Sequence, residues 1–76
     1  MTDLERKLRE HPLVAPRLAH KRDMHAAEAA VNECIHGTPI PVDSWKRSST
    51  VQQVRIAYKE VRDVQAHVPH PPRGRG

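Results

Sequence analysis

An all-α domain is what this sequence predicts, and three observations carry the prediction. Residues 51–68, VQQVRIAYKEVRDVQAHV, place apolar side chains at 51, 54, 57, 58, 61, 64 and 68. That spacing follows multiples of about 3.6 residues and not the period of two that a strand shows. Helix starts and stops bracket the periodic segments, with capping pairs in front and Gly or Pro behind. Opposite charges recur at i,i+4, as in Glu5/Arg9 and Arg6/Glu10. The expected architecture is a small three-helix domain over residues 1–68, a short N-terminal helix packed on an antiparallel pair of longer helices. Residues 69–76 are expected to form a flexible, disordered Pro/Arg/Gly tail.

The first helix opens on TDLE, a capping box in which Thr2 accepts from the backbone amide of Glu5 while the Glu5 side chain reaches back. Leu4 and Leu8 face inward one turn apart. Pro12 restricts His11 and ends the helix near Glu10, leaving HPLVAP as an apolar bend. A second helix is expected from Pro16, suited to a first turn, to His36, with Gly37 as a left-handed cap and Pro39 as a stop. Its inner stripe is read as His20, Met24, Ala27, Val31, Cys34 and Ile35, with Ala30 on the edge. The connector GTPIPVDSWKRSS offers Ile40, Val42 and Trp45 to cover one end of the core. The third helix starts either at about residue 43, where Asp43 suits an opening position, or at about residue 49, where Ser49 and Gln52 form a second capping pair.

Composition bounds what such a domain does. The chain has 76 residues and is 37% hydrophobic, but eight of those residues are Ala, none is Phe, and Trp45 and Tyr58 are the only aromatics. A fold of this size draws only about 3–5 kcal/mol from its own core unless a disulfide, metal or partner adds to it. Cys34 is the single cysteine, so no internal disulfide forms. The charged start MTDLERKLRE and the absence of a long apolar run point away from a signal peptide or membrane span and toward a cytoplasmic protein. Nine Arg against four Lys, with one Asn and no Phe, suit a GC-rich genome such as that of an actinobacterium or its phage.

Six histidines invite a metal reading, but His20 and His25 lie about 140° apart on one helix, and no second cysteine completes a pair with Cys34. No metal and no cofactor are expected. His11, His25, His36, His67 and His70 are read as surface residues, with His20 at the core's border. No glycine-rich phosphate loop, carboxylate pair or nucleophile with a base and an acid is evident, so no enzyme and no small-molecule substrate are expected.

The third helix carries Arg55, Lys59 and Arg62 as a basic ridge beside its apolar stripe. With only Met24, Val31 and Ile35 as sizeable internal partners, that stripe is expected to exceed what the chain covers. The functional expectation is a non-enzymatic binding module, a regulator or inhibitor of the kind phages encode against host machinery. It would dock Val54, Arg55, Tyr58, Lys59, Val61 and Arg62 on a protein partner or on a second copy of itself. The rival readings are a nucleic-acid-binding protein using Arg55, Lys59, Arg62, Arg73 and Arg75, and a structural subunit of an assembly such as a virion. Helix-turn-helix recognition fails on spacing, because about a dozen residues separate the second and third helices where that motif has about 3–4.

Overall fold

The computed structural model describes residues 2–66, so Val68 and the expected tail with Arg73 and Arg75 lie outside the described residues. The described residues form four α-helices and one 3-10 turn, with no strand among them: α1 (Asp3–Glu10), α2 (Ala15–Ala19), α3 (Met24–His36), the 3-10 turn Asp43–Arg47 and α4 (Ser49–Ala66). The all-α class follows.

Thr2 caps α1 from extended backbone, its Oγ1 accepting from the Glu5 amide at 3.2 Å. The return half of the capping box is absent. Glu5 turns instead to Arg9, whose Nε donates to it at 3.1 Å, so the i,i+4 pair has claimed the carboxylate. Arg6 pairs backward with Asp3 at 3.2 Å. His11 ends the helix in extended backbone just ahead of Pro12, and its amide donates to the Leu8 carbonyl.

The single helix expected over residues 16–36 is two helices. At His20 the backbone opens to ψ 123°, and the amides of Asp23 and Met24 both return to the His20 carbonyl, at 3.0 and 2.8 Å. The physical reason lies in HKRD, residues 20–23, which gives the core nothing apolar, so packing does not hold the segment helical. A break there lets α2 bring Leu18 and the preceding Val14 to the core while α3 turns a different face inward. The buried face of α3 is Ala26, Ala27, Ala30 and Val31, with Cys34 and Ile35 partly covered. His20 and Met24, expected inside, are 58% and 40% exposed.

Gly37 closes α3 at φ 72°, the left-handed position that glycine adopts without steric cost, and its amide reaches the Glu33 carbonyl at 2.9 Å. In the connector Ile40 is buried and Trp45 partly so, whereas Val42 faces outward. Both candidate starts of the last helix have a counterpart. Asp43 opens the 3-10 turn, and α4 begins after Ser48, whose Oγ accepts from the Thr50 amide at 3.1 Å. The cap is thus one residue earlier than the expected Ser49, and Gln52 donates its side-chain amide to the Lys46 carbonyl at 3.0 Å instead of completing a box.

Helix α3 packs on α4, α1 lies against both, and α2 lies against α3. The largest fully buried side chains are Leu8, Val14, Val31, Val51 and Val54, with Ala27, Ala30 and Ala57 between them. No core side chain is larger than leucine, which follows from a composition without Phe.

Candidate interaction surface

Helix α4 positions all six residues expected to meet a partner, and the fold divides them. Val54 is fully buried and Val61 nearly so, both against the chain's own helices. Arg55 is drawn to α3: its Nε and Nη2 donate to the two carboxylate oxygens of Glu33, each at 3.0 Å. This two-pronged geometry matches the planar guanidinium to the carboxylate and neutralises Arg55 within the protein. Of the basic ridge, Lys59 and Arg62 remain exposed. The Arg62 guanidinium lies 5.7 Å from the centroid of the half-buried Tyr58 ring, a cation–π contact one turn apart.

The apolar stripe is covered as far as Val61 and then runs out. Val64 is 68% exposed. With Val61, Glu60 and, from α1, Lys7 and His11, it lines an open groove of about 180 Å³. Val64 and Arg62 lie roughly 160° apart around α4 at 100° per residue, so the basic ridge and the uncovered apolar end occupy opposite flanks. The cation beside Val64 is Lys7.

His11, read from sequence as a surface residue, holds this region together. Its Nδ1 accepts from the Leu13 amide at 3.0 Å, which leaves Nε2 to carry the proton and donate to Glu60 Oε1 at 2.9 Å. Its carbonyl receives the amides of Val14 and Ala15, each at 2.8 Å. One side chain, 15% exposed, thereby shapes the α1–α2 bend and ties it to α4. A histidine beside proline signals a helix end in sequence, but a partner 49 residues away leaves no local signature.

A second polar cluster joins α1 to α3. Arg9 donates to Glu28 at 2.6 and 3.1 Å while also holding Glu5, and His36 Nε2 lies 3.7 Å from the other Glu5 oxygen. The hydrogen bonds from Arg9 hold the Glu28 carboxyl below its ordinary value, and those from Glu28 raise Arg9 in turn. Cys34 is half-buried, and burial, with Glu33 adding its charge, pushes the thiol up to about 11. That environment suits a packing residue and not a nucleophile. Among the described residues no three His, Cys, Asp or Glu side chains are placed to share a metal ion.

On the other side of α3, Trp45, Pro39 and Pro41 of the connector face Glu28, Ala29 and Asn32 across a groove of about 350 Å³. From sequence Trp45 is expected only to cover one end of the core, because the groove depends on how the connector folds along α3. No helix of the described residues is long and apolar enough to cross a membrane. Comparison with known protein families, curated proteins and solved structures gives no match.

Proposed function

We propose that the chain is a small non-enzymatic helical binding module, a regulator or inhibitor that docks on a protein partner through the α1–α4 groove. The observation that carries this reading is Val64, exposed at 68% where the α4 stripe emerges from the core, in a groove flanked by Lys7. Such a site accepts an apolar anchor from a partner helix with an acidic neighbour for the lysine. Tyr58, Lys59 and Arg62 provide a second, cationic flank. An antiparallel α3–α4 pair crossed by α1 accords with the contacts Arg55–Glu33, Arg9–Glu28 and His11–Glu60. Nucleic-acid binding has less to rest on, since Glu33 occupies Arg55 and only Lys59 and Arg62 stay open on the ridge.

The test is capture of partners from a nuclease-treated bacterial extract, with the wild-type chain and Val64→Asp compared at low and moderate salt. An exposed valine tolerates aspartate, so the variant keeps its helical circular dichroism. Loss of the captured protein with Val64→Asp is the expected result. If the partner is a second copy, light scattering shows a dimer that the same substitution dissociates. Capture that survives Val64→Asp and vanishes between about 50 and 200 mM salt overturns the reading in favour of phosphate-backbone binding.

A further inference from the structure

We propose that the occupant of the α1–α4 groove is α4 of a second copy of this chain, laid antiparallel across a two-fold axis at Glu60, an assignment that rests on the groove being a docking site. Among the described residues α4 leaves two large apolar side chains uncovered, Ile56 at 46% and Val64 at 68% exposed. With Glu60 between them they stand at i, i+4 and i+8, forming one ridge on which successive residues lie about 40° and about 6 Å apart. Ridges of this spacing are the ones that pack helix on helix.

The register follows from the ridge. In an antiparallel pair with Glu60 on the axis, Ile56 of one copy meets Val64 of the other, and the two-fold repeats the contact, so a single operation covers both side chains in both copies. A shift of one turn in either direction sets an apolar side chain against the Glu60 carboxylate instead.

Charge is self-complementary. Lys7 and Glu60 line the same groove with opposite signs, and Lys7 has no ion pair among the described residues. Across the axis Lys7 faces Glu60 of the other copy, and the reverse pair forms by symmetry. The two carboxylates that approach at the axis are each also held by His11, whose Nε2 donates to Glu60 at 2.9 Å. A wholly acidic or wholly basic partner answers only one of the two signs. A second α4 answers both, and it carries the apolar anchor with an acidic neighbour that the groove accepts.

Sedimentation equilibrium of the full chain is expected to show monomer and dimer in exchange. Ile56→Asp lies outside the groove lining at a half-exposed position, so it keeps the helical circular dichroism. Present once in each copy, it should raise the dissociation constant about a hundredfold, roughly tenfold per copy. Lys7→Glu and Glu60→Lys each set like charges across the axis and weaken the dimer. Mixed in equal amounts, the two variants restore opposite charges at both contacts and regain the wild-type dissociation constant to within a few-fold. A dimer unmoved by Ile56→Asp, or a mixture no tighter than its components, overturns the proposal. A chain that stays monomeric to millimolar concentration also overturns it; capture of another protein that is lost with Val64→Asp then keeps the groove as a docking site, whereas capture that survives Val64→Asp sinks both readings.

Discussion

Arg55 of α4 and Glu33 of α3 meet across 22 residues of sequence through two hydrogen bonds of 3.0 Å, fastening together the two longest helices. The pair is partly shielded, with side chains 39% and 29% exposed, and its forked geometry fixes both groups. A double-mutant cycle of Arg55→Ala and Glu33→Ala, read by urea denaturation, is expected to give a coupling of about 0.5–1 kcal/mol. Arg55→Glu should be worse than either alanine, since it sets two carboxylates face to face. A coupling indistinguishable from zero would show that the pair is a surface contact without effect.

His11 is expected to matter more than any other histidine. His11→Ala removes the bond to Glu60 and leaves the Leu13 amide without its acceptor, a loss of about 1–3 kcal/mol. Amide exchange locates the damage: Leu13 should exchange faster in the variant while amides inside α3 change only with global stability. Equal protection of Leu13 in both proteins would contradict the assigned tautomer.

Acid should weaken the α1–α3 contact. Because Arg9 holds the folded-state Glu28 below its ordinary value of 4.5, the contribution is complete above the unfolded value and fades as pH falls through the folded one. Stability measured from pH 6 downward, taken as an experimental range of about four units, should decline below about 4.5, and Glu28→Gln should flatten part of that slope. An unchanged slope in Glu28→Gln would assign the acid sensitivity to other carboxylates.

Cys34 should be slow to react. With its thiol pushed up to about 11 by burial, roughly one molecule in a thousand carries the thiolate at about pH 8. Alkylation by iodoacetamide is expected to be far slower in the folded chain than in denaturant. Equal rates would mean that α3 opens readily around this position.

The core leaves little margin. Leu8→Ala removes the largest fully buried side chain, a change that costs about 2–5 kcal/mol, comparable with the whole stability of a domain of this size. Circular dichroism should show this variant largely unfolded at ambient temperature, and a cooperative melt near wild type would indicate that another side chain refills the site.

What was legible in the sequence is what local chemistry decides. Thr2, Pro12 and Gly37 set helix ends within a few residues of themselves, and each acts at its expected place. The α4 period put Val51, Val54, Ala57 and Val61 inside. The break at residues 20–23 was not legible, because Lys and Arg are good helix formers and only the competing demands of α2 and α3 on the core interrupt the helix there. The site was legible only in composition. Periodicity ranks Val64 with Val61, yet one is exposed and the other buried, since that difference depends on where α1 ends. Likewise Arg55 reads as a ridge residue until Glu33, on another helix, takes it.

The alanines of α3 have a consequence for how this chain tolerates change. Ala26, Ala27 and Ala30 are buried on the face of α3 that packs against the other helices, so a longer side chain at any of them is expected to meet a neighbour. Lengthening any of them forces neighbouring helices apart instead of filling a gap, at a cost of typically about 1–3 kcal/mol. Substitution is therefore directional: leucine and valine elsewhere in the core exchange with residues of similar volume, whereas these three positions are expected to accept only something equally small. A library of variants selected for folding should keep α3 almost invariant at three positions and let the surrounding helices drift.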